Sequence, residues 1–264
     1  LTYSLTGAPV GASIDPATGV FTWTPTAVQT PGVYPVTVVV TDNGTPALND
    51  TETINISISD WTENWDTYPI GQQMHGTNGW EGWEGAAAAG ALTSNVQVRS
   101  GASSIDISGA TDLVHPYSGY TTGKWIYTAW QFIPTDATGS PYFILMNNYP
   151  FAGNNGSWSV QVMFDTSANT VSNAMVVGSP TLPLVKGSWV PIVVEIDLDA
   201  DYHRVYYNGA QLYEASWTTS SYGTGYPEIE AVDLFANGSS PVYYDDLSLV
   251  PAKTLTVTVN GNGT

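Results

Sequence analysis

The sequence contains no cysteine, and only five of its 264 residues are lysine or arginine. Without cysteine the chain can form neither disulfides nor thiolate zinc sites, and it offers no cysteine nucleophile. Clustered basic side chains are needed to neutralise nucleic-acid phosphates or to hold a chain on an acidic membrane surface, so both roles are excluded. No apolar run approaches about 18 residues, and the sequence therefore predicts no membrane insertion.

The shortage of basic residues also explains the net charge of −18, because aspartate and glutamate together number only 23. These acidic residues are spread along the chain rather than collected in one tail. A surface of this kind suits neutral sugars or calcium ions, and it repels acidic polysaccharides unless a cation bridges the two.

The abundant residues predict an all-β protein. The sequence has 26 glycines, 17 prolines, 16 tyrosines and 10 tryptophans. Such a composition is typical of short strands joined by tight turns. The one helix-like stretch, residues 86–89, has a glycine on each side, so we expect a loop or a single turn there.

Hydrophobic alternation and turn signals divide the chain into a first domain (residues 1–60), a second domain (61–251) and a tail (252–264). In the first domain two strands are predicted by alternating apolar residues, which are Tyr34, Val36, Val38 and Val40 in one strand and Ile54, Ile56 and Ile58 in the other. The turn signal Asn43-Gly44 lies between them.

The first domain also contains the stretches IDPATGVFTWTP, YPVTVVVTDNGTP and DTETINISI. These resemble cadherin-like or Ig-like bacterial surface repeats. The resemblance implies an Ig/cadherin-like β-sandwich of seven strands that serves as a spacer in a large secreted protein. Members of that family begin with one further strand before a segment like LTYSLTG, so we expect the chain to start inside a domain.

The second domain has many short strands separated by glycine, asparagine and proline, a pattern that favours a sandwich or jelly roll. It includes GSWVPIVVEIDLDADYHRVYYNGAQL and TGKWIYTAWQFIP, which resemble the laminin-G and pentraxin pattern. Its end, VYYDDLSLVP, is similar to the last strand of many carbohydrate-binding jelly rolls. These resemblances imply a concanavalin A-like jelly-roll sandwich.

The tail contains the stretch TLTVTVNGNGT, in which Leu255, Val257 and Val259 alternate with polar residues. It resembles the first strand of another bacterial surface repeat. We expect it to be either the first strand of a further repeat or a donor strand that completes the sheet of a neighbouring subunit.

Glu195, Asp197 and Asp199 form the most enzyme-like pattern, because alternate residues of a strand share one face. The pattern is similar to the Glu-x-Asp-x-Glu strand of laminarinase- and agarase-type glycosidases, whose first glutamate is the nucleophile and whose last is the acid/base. This sequence has the shorter aspartate at position 199, and the segment matches the laminin-G turn. We therefore interpret the three residues as a solvated strand and turn, and we expect no enzymatic activity.

Aromatic residues in polar loops are the candidate ligand-binding residues, because sugar rings stack on aromatic faces while polar neighbours bind the hydroxyl groups. Tryptophans in predicted strands are assigned to the core instead, and these are Trp125, Trp130, Trp158 and Trp189. The loop candidates are Trp80, Trp83, Tyr117, Tyr120, Trp217, Tyr222 and Tyr226.

Calcium is the one cofactor that the sequence suggests, since it binds several oxygen ligands. In the first domain Asp42, Asn43 and Asp50 flank one loop, and the cadherin resemblance implies an acidic ligand at Asp42. In the second domain Asp245 and Asp246 lie on the last predicted strand, where related jelly rolls hold a structural calcium. Acidic residues in solvated loops are the alternative interpretation at both places.

These observations favour a non-catalytic pair of modules from a large extracellular or cell-surface protein, in which the jelly roll binds a polysaccharide or surface glycan in adhesion. One alternative is a structural stalk or filament subunit that assembles by strand complementation. A second alternative is a glycoside hydrolase or polysaccharide lyase of concanavalin A-like fold. The expected partners are glycans and neighbouring domains or subunits.

Overall fold

The computed structural model describes residues 1–23, 32–58, 61–149, 156–218 and 225–252. Its Cα positions divide the chain into two compact units, with a boundary between Asp60 and Trp61. Strands make up nearly all of the regular structure in both units, which confirms the predicted all-β class. No helix within the described ranges is long and apolar enough to cross a membrane.

The first unit contains the described strands β1 (Thr2–Thr6), β2 (Ser13–Ile14), β3 (Phe21–Thr22), β4 (Gly32–Thr41) and β5 (Asn49–Ile58). Strand β4 is the middle strand of a three-stranded antiparallel sheet, between β1 and β5, and β2 pairs with β3. The two alternating segments of the sequence are thus neighbouring strands. Asp42 closes the turn between them, because its Oδ1 accepts hydrogen bonds of 2.9 Å from the backbone N–H groups of Gly44 and Leu48.

The second unit contains the remaining described strands, which are listed in chain order: β6 (Trp61–Glu63), β7 (Glu81–Gly82), β8 (Leu92–Ser94), β9 (Ser104–Ile107), β10 (Asp112–Pro116), β11 (Lys124–Phe132), β12 (Tyr142–Asn148), β13 (Ser157–Asp165), β14 (Thr170–Asn173), β15 (Thr181–Pro183), β16 (Trp189–Asp197), β17 (Tyr202–Tyr207), β18 (Ala210–Ala215), β19 (Ala231–Phe235) and β20 (Val242–Pro251). Single 3₁₀ turns cover Trp83–Gly85 and Ala87–Ala89, and the second of these agrees with the single turn expected there.

These strands form two antiparallel sheets. The seven-stranded sheet has the order β15-β14-β13-β12-β19-β10-β7, and the eight-stranded sheet has the order β18-β17-β16-β11-β20-β9-β8, with β6 paired to β20. Leu113 and Phe143 of the first sheet and Tyr127, Ile192 and Val205 of the second belong to one cluster of fully buried side chains. The main hydrophobic core therefore lies between the sheets, as in a β-sandwich.

The outer face of the seven-stranded sheet is also apolar at its centre. Alternation along the strands turns Val114, Ile144, Met146 and Ala231 away from the main core, yet each is at most 2% exposed. They form a second buried cluster with Tyr149. The centre of this face is therefore shielded from solvent, whereas the aromatic residues around it are partly exposed, namely Trp83, Tyr142, Trp158 and Phe235.

Three of the four strand tryptophans are not core residues, contrary to the sequence assignment. Trp125 and Trp130 are five residues apart on β11, and the period of two places them on opposite faces. Trp125 packs against the main core, whereas Trp130 and Trp189 lie half-buried on the outer face of the eight-stranded sheet. Trp158 packs on the outer face of the seven-stranded sheet.

Candidate active site on the outer face of the seven-stranded sheet

Four carboxylic side chains, which we call the carboxyl cluster, are associated with the outer face of the seven-stranded sheet: Glu81, Asp112, Glu230 and Asp233. Glu81 on β7 is opposite Val114 on β10, and Val114 is opposite Asp233 on β19. Glu81 and Asp233 therefore share one transverse row, with about 10 Å between their Cα atoms. Asp112 lies two residues before Val114 and points to the same face.

The chain turns sharply after Glu81. A Cβ atom on Gly82 would collide with the carbonyl oxygen of Ala86, so this position needs glycine. The 3₁₀ turn that follows carries Trp83, which packs against the second buried cluster. The sequence of this loop thus brings a carboxylate and an indole onto the same sheet face.

Asp112 and Asp233 form a buried carboxyl pair. Asp233 is only 2% exposed, and burial raises the pKa of its carboxyl well above the usual range, with the charge and hydrogen bonding of Asp112 raising it further. Burial also raises the pKa of Asp112. Since two adjacent carboxyl groups do not readily ionise together, we expect the pair to hold one shared proton near neutral pH. Within the described ranges, Oδ1 of each residue is buried without a hydrogen-bond partner.

Tyr149 connects two other members of the carboxyl cluster. Its hydroxyl donates a hydrogen bond of 2.8 Å to Oε1 of Glu81, and its backbone N–H donates one of 2.7 Å to Oε2 of Glu230. The backbone N–H of Glu84 donates to the same hydroxyl at 3.2 Å. Burial and the bond to Glu81 raise the pKa of Tyr149, so the phenol keeps its proton. Burial also raises the pKa of Glu230.

Aromatic pairs flank the carboxyl cluster along the strands. The rings of Trp83 and Trp158 are nearly parallel, with 6.3 Å between centroids and 9° between planes. At the other end of the carboxyl cluster, Tyr142 stacks on Phe235 with 5.8 Å between centroids, in the transverse row that contains Asp112. Exposed edges and faces of such rings provide apolar surfaces on which sugar rings stack, while the carboxyl groups between them can accept hydrogen bonds from hydroxyls.

The described basic side chains are engaged elsewhere. Arg99, Lys124 and Arg204 pair with acidic residues around the eight-stranded sheet, namely Asp246, Asp197 and Glu214. Nζ of Lys186 donates to the carbonyl oxygen of Thr166 at 2.9 Å. The face that carries the carboxyl cluster is therefore acidic, and it disfavours an anionic ligand.

The structure places the sequence candidates away from this face, with Glu195 and Asp197 on the eight-stranded sheet and Asp199 in the turn after β16. Glu195 is exposed and accepts a hydrogen bond of 3.3 Å from the hydroxyl of Tyr206. Asp197 forms an ion pair of 2.6 Å with Lys124, and Asp199 accepts the backbone N–H of Gly123 at 3.0 Å. Each carboxylate thus has a structural partner on a strand or turn, in line with a solvated strand.

Two of the predicted ligand-binding aromatics are core residues, and that part of the prediction is wrong. Trp80 is 1% exposed and its indole N–H donates to Oε2 of Glu63 at 3.1 Å. Trp217 is fully buried and donates to the carbonyl oxygen of Glu228 at 2.8 Å. A ring without exposed surface has no face for a sugar, although both residues sit in glycine- and serine-rich sequence.

The other aromatic candidates are dispersed. Trp83 lies on the face of the carboxyl cluster, whereas Tyr117 and Tyr120 pack against the main core. The hydroxyls of Tyr117 and Tyr127 are 2.9 Å apart. Tyr226 is 53% exposed, and Tyr222 lies outside the described residues, as does the tail from residue 253 onward.

The predicted calcium ligands mainly contact protein donors. Asp42 binds two backbone N–H groups, which lower the pKa of its carboxyl, and neighbouring Asn43 and Asp50 are exposed. Asp245 is fully buried, and its Oδ2 accepts the backbone N–H of Arg99 at 2.9 Å. Asp246 pairs with the Arg99 guanidinium. In the part of the chain that the structure describes, no three His, Asp or Glu side chains converge on a metal site. Calcium binding stays a prediction.

Sequence reasoning missed most of the carboxyl cluster. The available signal was Asp233, a single carboxylate inside the apolar strand Ala231–Phe235, because an aspartate surrounded by such residues is buried with the strand. Asp112, Tyr149 and Glu230 have no local signal. Their proximity depends on strand pairings between distant parts of the chain.

The comparisons with known proteins comprise one family model and a set of solved structures. A family model described as "Putative Ig domain" matches residues 1–59. Among solved structures, the chain is similar to an endo-β-1,4-glucuronan lyase from the fungus Trichoderma reesei, with 13% identity, TM-score 0.47, and coverage of 73% of this chain and 95% of that one. It is also similar to the alginate lyase Aly36B, with 14% identity, TM-score 0.47, and coverage of 75% and 99%. No curated protein matches the sequence.

A third similar structure is a Trypanosoma rangeli sialidase, with 15% identity, TM-score 0.45, and coverage of 63% of this chain and 28% of that one. The expectation of a protein without enzymatic activity is corrected here, since the similar structures bear the names of two polysaccharide lyases and a sialidase. Those activities belong to the named proteins. The β-sandwich fold of the second unit is established by its own two sheets and the core between them.

Proposed function

We propose that the second unit is a glycan-cleaving enzyme whose acid–base groups belong to the carboxyl cluster, and that it hydrolyses a neutral polysaccharide. The observation that carries the proposal is the Asp112–Asp233 carboxyl pair, in which burial raises the pKa of both groups, on the same sheet face as Glu81, which accepts a hydrogen bond from Tyr149. A protonated carboxyl group and a hydrogen-bond-accepting carboxylate on one face are the two groups that glycoside hydrolysis requires.

The carboxyl pair supplies the acid. Asp112 is half-buried and is the member that substrate can reach, so it transfers the shared proton to the oxygen of the glycosidic bond as that bond breaks. Asp233 is the positioning residue, because it shares the proton with Asp112 and returns it to that carboxyl. Burial excludes water from the pair, which strengthens the electrostatic interaction between the two carboxyl groups and of Asp112 with the glycosidic oxygen.

Glu81 is the base that assists water attack at the sugar carbon. The Tyr149 hydroxyl orients the Glu81 carboxylate, and the backbone N–H of Glu84 holds that hydroxyl in place. After the water loses a proton to Glu81, the sugar carbon gains a hydroxyl group and the leaving chain carries the proton from Asp112. The cycle is complete when Glu81 releases the proton that it gained to solvent and the Asp112–Asp233 pair takes up a proton from solvent.

A neutral substrate follows from the charge of the face. A lyase acting on uronates needs positive groups to neutralise the sugar carboxylate, and the described lysines and arginines are engaged elsewhere. We assign the second unit to the concanavalin A-like class, the first unit to an Ig-like spacer, and the parent protein to the extracellular space or cell surface. The glycan is the proposed partner.

The test is a release assay on the 264-residue chain with neutral polysaccharides such as β-glucan, xylan, mannan and galactan. Reducing ends report hydrolysis, while ultraviolet absorbance of unsaturated sugars on alginate and polygalacturonate reports lyase activity. Asp112→Asn and Glu81→Gln should each lower hydrolysis at least about 100-fold, the lower range of general acid–base catalysis.

Glu195→Gln is the matched control, because Glu195 is an exposed carboxylate on the other sheet. Its activity should stay within twofold of the parent chain. The proposal is overturned if only uronate polymers are cleaved, if no polymer is cleaved, or if Glu195→Gln removes the activity while Asp112→Asn does not.

A further inference from the structure

A cavity of about 370 Å³ opens on the outer face of the eight-stranded sheet, on the side of the sandwich opposite the carboxyl cluster. Its lining includes Thr62, Asn64, Thr128, Trp130, Asp246 and Ser248. The volume falls within the range of about 300–1,000 Å³ that is typical of small-molecule sites. The cavity wall thus combines the indole of Trp130 with hydroxyl, amide and carboxylate groups.

Strand register explains why these residues share a face. Leu247 and Leu249 are buried in the main core, so Ser248 between them points outward, and it pairs with Thr62 across the β20–β6 ladder. Thr128 and Trp130 alternate with buried Tyr127 and Ala129 on β11. The outward residues therefore form a polar wall along three strands with an indole at one side.

The indole of Trp130 is held in a fixed orientation. The guanidinium carbon of Arg99 lies 3.6 Å from the centroid of the Trp130 ring, and Arg99 is paired with Asp246. Oδ1 of Asp246 also accepts a hydrogen bond of 2.8 Å from the hydroxyl of Ser100. A cation over an aromatic face stabilises this arrangement, so the ring is organised before any ligand binds.

The acidic groups of the cavity are compensated within the protein. Asp246 faces Arg99, while Glu63 accepts bonds from the Trp65 backbone N–H at 2.9 Å and from the Trp80 indole N–H at 3.1 Å. The wall therefore presents dipoles and hydroxyls rather than an unpaired charge. Such a wall matches the hydroxyl groups of an uncharged sugar.

We propose that this cavity is a second saccharide-binding site, which takes one or two rings of a neutral oligosaccharide against Trp130, with Thr62, Thr128 and Ser248 bonding the sugar hydroxyls. Binding there is independent of cleavage, because the site lies on the sheet opposite the carboxyl cluster. It goes beyond the proposed function and would stand if the second unit hydrolysed nothing.

The test is titration calorimetry of the full chain with cellohexaose, xylohexaose, mannohexaose and laminarihexaose, using chain that carries Asp112→Asn to prevent turnover. Trp130→Ala should weaken binding of at least one probe tenfold or more, and Thr128→Val, which conserves shape and removes the hydroxyl, should weaken the same probe at least threefold. When Asp112 is restored, the Trp130→Ala chain should still cleave a short soluble oligosaccharide at the rate of the parent chain.

Trp189→Ala is the matched control, since Trp189 is also a half-buried tryptophan on this outer face but packs on Phe132, with 5.6 Å between ring centroids. It should leave binding unchanged. The proposal is overturned if no probe binds, or if Trp130→Ala and Thr128→Val bind every probe as the parent does. Equal losses in Trp189→Ala and Trp130→Ala also overturn it.

Discussion

The hydroxyl of Tyr149 donates a hydrogen bond of 2.8 Å to Oε1 of Glu81, although the two residues are 68 positions apart in the sequence. The bond joins the short strand β7 to the residue that follows β12, on a face whose centre is closed to solvent. Because the hydrogen bond fixes one oxygen of Glu81, the proposed function assigns the role of base to its other oxygen. Changes at Tyr149 should therefore alter the chemistry more than the fold.

Tyr149→Phe tests this relationship. The variant keeps the ring that contacts Trp83 but removes the donor to Glu81 and the acceptor for the Glu84 N–H. We expect kcat for polysaccharide hydrolysis to fall 10- to 100-fold, because a misoriented base loses part of its catalytic contribution. Steady-state kinetics measure it, and Tyr226→Phe, at an exposed tyrosine, should have no effect. Unchanged kcat in Tyr149→Phe would mean that Glu81 needs no orienting bond.

Asp233→Asn tests the shared proton through stability. The pKa of Asp233 is higher in the folded chain than in the unfolded chain, so ionisation of this carboxyl opposes folding. Its contribution to the stability of the folded chain is therefore largest at low pH and is lost as the pH rises through the raised pKa. The amide of the variant does not ionise. The melting temperature of Asp233→Asn relative to the parent should therefore increase from pH 4 to pH 8. A constant difference across that range would show that the pair holds no proton.

His203 should make the folded chain less stable at low pH, which is the opposite of the effect of Asp233. It is fully buried, both ring nitrogens lack partners among the described residues, and burial lowers its pKa to about 4. Between about pH 6.5 and pH 4 the unfolded chain binds a proton that the folded chain does not, so stability falls as pH falls, by up to about 3 kcal/mol. Urea unfolding of His203→Phe at pH 7 and pH 4.5 should show that the variant gains stability relative to the parent at the lower pH.

Trp83 and Trp80 should respond differently to truncation, although they are only three positions apart in the sequence. Trp83→Ala removes part of the surface beside Trp158 and should raise KM for a polysaccharide several-fold, with a small change in melting temperature. Trp80→Ala leaves a cavity in the core and removes one of the three donors to Oε2 of Glu63, and should cost about 3–5 kcal/mol of unfolding free energy. Calorimetric melting and kinetics separate the two effects. The reverse pattern would place the ligand against Trp80.

The strands were accessible to sequence reasoning because alternation is local, as Val36 and the β4–β5 pairing show. Side-chain exposure was less accessible. GTNGWEGWEG contains two tryptophans in similar surroundings, yet Trp80 is buried and Trp83 lies on the outer face. The difference arises from Glu63, which accepts the Trp80 indole N–H from another strand. No pattern within the loop encodes that contact.

The candidate site was harder to predict for a further reason. Glu195 and Asp197 lie on one strand and Asp199 in the turn after it, and such a run is visible in the sequence. The carboxyl cluster is assembled instead from β7, β10, β19 and the residue before β19, and its members are up to 152 positions apart between Glu81 and Asp233. The pKa of Asp233 depends on burial and on Asp112, neither of which a single strand reveals.

The carboxyl cluster and the Trp130 cavity lie on opposite outer faces of one sandwich, whose sheets are about 10 Å apart. A long polysaccharide held at one face stays tethered, so its remaining rings, and those of chains packed beside it, reach the other face at a high effective concentration. Two weak sites of this kind retain the protein on an insoluble polymer between successive cleavages. Short soluble oligosaccharides cannot reach both faces, so on them the second site does not lengthen the time that the protein stays bound.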